Sequence, residues 1–389
     1  MLLILSALMS FASISTDVYL PAMPSMEAQL HGAPGSMDYT ISGFLIGFSL
    51  GQLLWGPVSD RCGRRPPVAI GMLLFVVGSI GCAGSTSVGQ MVGWRVLQAL
   101  GASVGPVLAR AMVRDLYDRQ QAAHTLSTLI MIMGIAPLAG PILGGQVLRL
   151  GSWPLIFWGL AGVGVLTLAA LRALPETLPR PKRATTALSY ALADYRALLQ
   201  DRRLLGYALS GGFFYAGAYA FIAGTPFAYI DYYGVSPQAY GLLFGANILG
   251  IIAANYLNGR LLRRHGSERL FRWGTWGALA SALVLAIDAY TGFGGLAGLA
   301  VPVFVYMSMN GFIVANSVAG ALEHFPRRAG AASALLGALH YGSGIVSAAL
   351  VAAFADGTPW TMGWVIGASG LGCLVSVLAL SQRPQQAAS

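Results

Sequence analysis

The sequence predicts an all-α polytopic membrane protein whose twelve transmembrane helices form two six-helix halves. Three observations predict it. The chain of 389 residues is 56% hydrophobic and only 10% charged, where a soluble domain carries about 25% charged residues; its mean hydropathy is +0.66. Twelve apolar stretches each approach the length of about 20 residues that a bilayer requires. One long polar segment, residues 173–203, divides them six and six.

The stretches run roughly over 2–24, 37–58, 67–86, 88–109, 122–148, 153–172, 204–230, 238–259, 273–290, 296–320, 329–353 and 360–381. The organisation expected is therefore a first bundle over 1–172, a cytoplasmic linker over 173–203 and a second bundle over 204–389. Fifty-one glycines fit helices packed closely in lipid. The first stretch lacks a basic leader region and a small-residue cleavage site, which argues against a signal peptide. It begins almost at the membrane. Three scattered cysteines, Cys62, Cys82 and Cys373, suggest neither a disulfide framework nor a metal site.

The net charge of +9 reports topology. With both termini cytoplasmic, the inner loops hold Arg61, Arg64 and Arg65, then Arg110, Arg114 and Arg119. The linker and its edges hold Arg172, Arg180, Lys182, Arg183, Arg196, Arg202 and Arg203, and the loop after the eighth stretch holds Arg260, Arg263, Arg264, Arg269 and Arg272. Arg327, Arg328 and Arg383 fall on the same side. Only Arg149 lies outside and only Arg95 within a stretch, a bias that fixes orientation. It leaves no nucleic-acid role. The acidic residues sort likewise: Asp60, Asp115, Asp118, Glu176, Asp194, Asp201, Glu268 and Glu323 lie inside, and Glu27, Asp38, Asp231, Asp288 and Asp356 near the outer ends. Asp17 alone is left within the membrane.

Two loops repeat. Displaced by 203 residues, GPVSDRCGRR (Gly56–Arg65) lies on GRLLRRHGSER (Gly259–Arg269), with Gly56 on Gly259, Arg61 on Arg264 and Gly63 on Gly266. Matching loops imply an internal parallel repeat. The second half carries no charge opposite Asp17 or Arg95, so their role is confined to the first half.

GPVSDRCGRR resembles the loop signature of the major facilitator superfamily, and Arg95-x-x-Gln98-x-x-Gly101 its second motif. Gly134, Pro137 and the run Gly140, Pro141, Gly144 and Gly145 resemble the motif of its proton-coupled antiporters. TDVYLPAMP with RAMVRDLY (Arg110–Tyr117) resembles the Bcr/CflA branch of drug–proton antiporters. The resemblance spans essentially the whole chain and implies the major facilitator fold. It further implies a monomer in the bacterial inner membrane that exports drug-like small molecules, driven by protons with no bound cofactor.

By that resemblance, Gly56, Asp60, Arg61, Gly63, Arg64 and Arg65 form a conformational latch, with Asp60 against the positive N-terminus of the eleventh helix. Gly63 would permit a tight turn. The plainer alternative is that the arginines only set orientation. The span-five glycines and prolines would bend a helix and admit close neighbours; ordinary packing is the alternative there.

Asp17 and Arg95 each lie about seven residues from an outer end, about 10 Å deep at 1.5 Å per residue. Ionisable groups inside a membrane mark ion and proton pathways. A static ion pair is the alternative, though buried pairs are weak sources of stability. The resemblance makes Asp17 the proton and substrate site and Arg95 its modulator. Tyr19, Gln98, Tyr215, Tyr219, Asn247, Asn310 and His340 are candidate cavity-lining residues, with interhelical packing the alternative for each. His340 could titrate near neutral pH, although a lone membrane histidine is more often hydrogen-bonded.

A metabolite exporter is the alternative within transporters, but polar groups at mid-membrane are sparse. The chain shows no ring of polar residues for a channel, no HExxH, no Ser/His pairing and no nucleotide loop. A membrane enzyme or an ATP-driven pump therefore lacks support.

Overall fold

The structure is a computed structural model that describes residues 2–183, 195–323, 325 and 329–381. Asp194, Arg327, Arg328 and Arg383 lie outside the described residues. Within them all regular structure is helical, and twelve helices are long and apolar enough to cross a membrane. Spans 1 to 6 are Ile4–Gln29, Ser36–Cys62, Arg65–Ala83, Val88–Leu116, His124–Leu150 and Pro154–Ala173. Spans 7 to 12 are Arg202–Tyr232, Pro237–His265, Ser267–Thr291, Gly295–Leu322, Ala331–Ala353 and Trp360–Ala379. This is a multi-pass membrane protein.

Several helices outrun the apolar stretches that predict them. Span 4 continues through RAMVRDL, span 8 through RLLRRH, and span 9 begins six residues early at Ser267. Arginine, leucine and methionine are good helix formers, so the helices carry on into the charged rim.

Spans 1, 4, 7 and 10, every third one, break or change helical form within their length, whereas spans 2 and 6 add only a three-residue 3₁₀ turn at one end. Span 1 breaks between helix Leu2–Asp17 and helix Met23–Gln29, through a 3₁₀ turn at Leu20–Ala22. Span 4 breaks at Ser103, span 10 at Met309, and span 7 passes at Thr225 into the π-helical turn Pro226–Tyr232. The break in span 1 has a covalent cause. Pro21 and Pro24 have no N–H to give the carbonyls of Asp17 and Leu20, four residues before each. The 3₁₀ bond from Ala22 N to Tyr19 O, at 2.8 Å, takes up the turn.

The chain contacts divide into two compact units. The first comprises Met1–Ala191 with Thr225–Gly245, and the second Leu192–Gly224 with Ala246–Ser389. In the first, span 4 packs against spans 2 and 3, span 6 against span 3, and span 1 against span 5. The π turn packs on the latter part of span 1, and Gln238 Nε2 donates to Gly145 O at 3.0 Å, which binds Thr225–Gly245 to this unit. In the second unit span 9 packs between spans 10 and 12. Phe214 stacks on Tyr306 at 5.1 Å, and Tyr306 Oη donates to Phe214 O at 3.0 Å, so a fully buried tyrosine keeps its hydroxyl satisfied.

Candidate functional site: a buried carboxylate beside an anchored guanidinium

The break in span 1 creates the site. A helix that stops at Asp17 leaves its last carbonyls without N–H partners. Arg95, 0% exposed on span 4, donates from Nη1 to one of them, Ser15 O, at 2.9 Å. The same Nη1 donates to Gln98 Oε1 at 2.7 Å, and Gln98 Nε2 donates to Ser79 Oγ on span 3 at 2.8 Å. A cation at the C-terminal end of a half-helix is electrostatically well placed. The guanidinium also lies between two rings, 4.3 Å from the Tyr19 centroid and 4.4 Å from that of Phe44. Such contacts stabilise by about 0.5–1 kcal/mol when exposed and by about 2 kcal/mol when desolvated. Its Nε and Nη2 find no hydrogen-bond partner among the described residues.

Asp17 is 5% exposed, and its carboxylate makes no hydrogen bond and joins no salt bridge among the described residues. The static ion pair with Arg95 is therefore absent. The two residues are neighbours, but the arginine is held by a backbone carbonyl, an amide and two rings. Tyr19 does not stand on an open wall: it is fully buried, with its hydroxyl 2.8 Å from Thr40 Oγ1.

The span-five motif packs on the same break. A Cβ on Gly140 would lie 3.0 Å from Asp17 Cβ, and one on Gly144 would run into the carbonyl oxygen of Val18. Gly145 faces the start of span 8, where a Cβ would come 2.9 Å from Pro237 O. Pro137 and Pro141 lie inside the helix, so Pro141 leaves the Pro137 carbonyl unpaired. Among the described residues, a Cβ on Gly134 would meet nothing within 4 Å.

The loop between spans 2 and 3 forms a clasp. Gly63 takes φ +92°, a backbone conformation that favours glycine, at the turn expected there. Arg64 reaches back to Asp60 at 2.6 Å, to Ser59 Oγ at 2.7 Å and across to Asp115 of span 4 at 2.8 Å. Arg65 Nη2 donates to Leu171 O of span 6 at 3.3 Å. Arg61 is exposed and forms no ion pair among the described residues, and Gly56 has open space around its α-carbon.

Glu176 completes the clasp, although the sequence marks it only as an inner charge in a polar linker. Its carboxylate accepts from the N–H groups of Arg64 (2.7 Å) and Arg65 (3.2 Å), which caps span 3, and from that of Leu178 (3.0 Å). Burial pushes the carboxyl up, but these N–H groups and the Arg183 charge outweigh it and hold the group below its ordinary value. Glu176→Ala is expected to lose about 0.5–2 kcal/mol, the range for a lost helix cap, read as a lower thermal midpoint at pH 7. Because the folded value is depressed, the stabilisation is full above the ordinary 4.5 and lost as pH falls through the lower folded value. The gap between wild type and variant should close in that acid window.

In the second unit, Tyr215, Tyr219 and His340 come together, joined by Tyr341, which the sequence reading missed. Tyr215 lies 4.9 Å from His340, 6.3 Å from Tyr219 and 5.7 Å from Tyr341. Contrary to expectation, His340 Nε2 is buried with no hydrogen-bond partner among the described residues. The imidazole lies tight against Gly211, where no side chain intervenes. Asn247 is 3% exposed in span 8, and Asn310 is half-buried immediately after the break in span 10.

The family model described as Major Facilitator Superfamily matches residues 3–348. The chain belongs to the major facilitator superfamily. It is 38% identical to the MFS-type transporter YdgK of Bacillus subtilis (strain 168), over 86% of this chain and 84% of that one. It is 30% identical to a bicyclomycin resistance protein homologue of Haemophilus influenzae, over 97% of this chain and 94% of the relative. Among solved structures, a D-xylose–proton symporter superposes with a TM-score of 0.76 at 18% identity, covering 98% and 96% of the two chains. The superfamily fold that the resemblance of the motifs implies is thereby shown, and the Bcr/CflA likeness is matched by the Haemophilus relative.

Proposed function

We propose that this major facilitator protein exports drug-like, mainly lipophilic small molecules from the bacterial cytoplasm across the inner membrane, in exchange for entering protons. It carries no cofactor and works by alternating access as a monomer with both termini inside. The observation that carries this reading is the state of Asp17. It is a buried carboxylate without a hydrogen bond, next to a guanidinium that other groups hold in place. Such a carboxylate can gain and lose a proton without dismantling its surroundings. Arg95 tunes it from close by. Each proton entering supplies about 2.3 kcal/mol per 100 mV, enough to drive uphill export.

Gly140 and Gly144 hold span 5 directly on the Asp17–Val18 backbone, so movement of span 5 is felt at the proton site. Asp60, Arg61, Arg64 and Arg65 latch the cytoplasmic side, and Tyr215, Tyr219, Asn247, Asn310 and His340 contribute to substrate binding. The kind of substrate follows from the apolar spans with few fixed polar groups and from the resistance named for the Haemophilus relative. In cells lacking their own pumps, the wild-type protein should raise the inhibitory concentration of several lipophilic antibiotics, and Asp17→Asn should not. Equal sensitivity of wild-type and empty-vector cells across the panel would remove drug export as the function.

A further inference from the structure

The two halves of the internal repeat treat their basic loops differently. In the first, Arg64 is neutralised by Asp60 and Asp115. In the second, spans 8 and 9 meet at Gly266 (φ +75°), and Arg260, Arg263, Arg264, Arg269 and Arg272 are all exposed. None of the five forms an ion pair among the described residues. Glu268, the one acidic residue between Ala246 and Ile287, is exposed and pairs with none of them.

Helix electrostatics accounts for only part of this cluster. Arg263, Arg264 and His265 occupy the last turn of span 8, where free carbonyls favour cations. Arg269 and Arg272 lie in the opening turns of span 9, where the partial positive charge of free N–H groups opposes them. Setting orientation needs basic residues on one side, in any arrangement. Here they are arranged with aromatic rings. Tyr256, Trp273 and Trp276 are 62%, 48% and 55% exposed. Arg260 lies 4.5 Å over the Tyr256 ring, and the His265 ring is 5.0 Å from that of Trp273, which ties the end of one helix to the start of the next. Arg269, Arg272, Trp273 and Trp276 recur at i, i+3, i+4 and i+7, on one face of span 9. Tyr256, Arg260 and Arg264 recur at i, i+4 and i+8 on span 8.

Exposed indoles belong at the headgroup level of a bilayer, and guanidinium forks match phosphate oxygens. We propose that the turn between spans 8 and 9 is a binding site for an anionic phospholipid. Arg260, Arg264, Arg269 and Arg272 hold the phosphodiester, while Trp273 and Trp276 lie along the glycerol and upper acyl region. The orientation proposed above puts the site in the inner leaflet.

Full-length protein in neutral detergent, titrated with phosphatidylglycerol or phosphatidylcholine and read by native mass spectrometry, tests it. The wild type should bind phosphatidylglycerol at least about tenfold more tightly, with the preference falling as salt rises. Changing Arg260, Arg264, Arg269 and Arg272 together to Gln should abolish the preference. Changing Arg110, Arg114, Arg172 and Arg180 to Gln, an equal loss of charge, should preserve it. W273A/W276A should weaken phosphatidylglycerol while leaving binding of free glycerol phosphate unchanged. A wild type with no preference overturns the proposal, whether or not the variants fold. Equal loss in the two arginine variants, or free glycerol phosphate competing as well as the lipid, overturns it too.

Discussion

Asp17→Asn protein reconstituted in liposomes is expected to keep its fold and to lose proton-driven transport, with flux falling to that of protein-free vesicles. The reason is specific to the geometry. In most buried sites the exchange of carboxylate for amide breaks an ion pair, which costs several kcal/mol when one partner is left charged and alone. Here Arg95 takes its contacts from Ser15 O, Gln98 Oε1, Tyr19 and Phe44, and none from Asp17. The amide has the same shape and removes no hydrogen bond from the native state. The thermal midpoint should therefore stay within a few degrees of wild type, while the carboxylate at the break is gone. Proton-driven flux equal to wild type would sink the assignment of Asp17.

Gly144→Leu is expected to have the opposite profile and damage the fold itself. The α-carbon of Gly144 sits against the Val18 carbonyl so closely that even a methyl group would collide with it, and Pro21 Cγ stands 3.3 Å from the same position. A backbone carbonyl cannot rotate away as a side chain can, so spans 1 and 5 must separate. Overpacking of this kind costs about 1–3 kcal/mol. It also shifts the segment that carries Asp17. Both the thermal midpoint and transport should fall, whereas Gly134→Ala, with open space around it, should change neither appreciably. A stable, fully active Gly144→Leu protein would show that the close approach of spans 1 and 5 plays no part in the cycle.

The spans and their number were legible in the sequence, because apolar length is a composition effect. Asp17 and Arg95 were legible for the same reason, as charges where charge is expensive. Their relationship was not. Arg95 binds a backbone carbonyl freed by the end of a half-helix, and backbone acceptors leave no mark in a sequence. The break itself was half-visible: Pro21 and Pro24 stand in VYLPAMP, but proline is tolerated in membrane helices. The break at Ser103 had Pro106 as its signal, whose missing N–H cannot serve the Ala102 carbonyl four residues before, whereas the break at Met309 has no proline in the turn that follows it. Glu176 looked like one charge in a polar linker because a cap on span 3 supplied from 111 and 112 residues away is a tertiary fact. Tyr341 escaped because only the packing of spans 7 and 11 brings it to Tyr215 and Tyr219.

Proton release tests the central claim most directly. Detergent-solubilised wild-type protein in weakly buffered medium near neutral pH, given a transported drug, should acidify the medium as the drug displaces the Asp17 proton. Asp17→Asn should give no such signal with the same drug. Drug binding to wild type without acidification, or equal acidification by Asp17→Asn, would contradict a cycle in which drug and proton compete through this carboxylate.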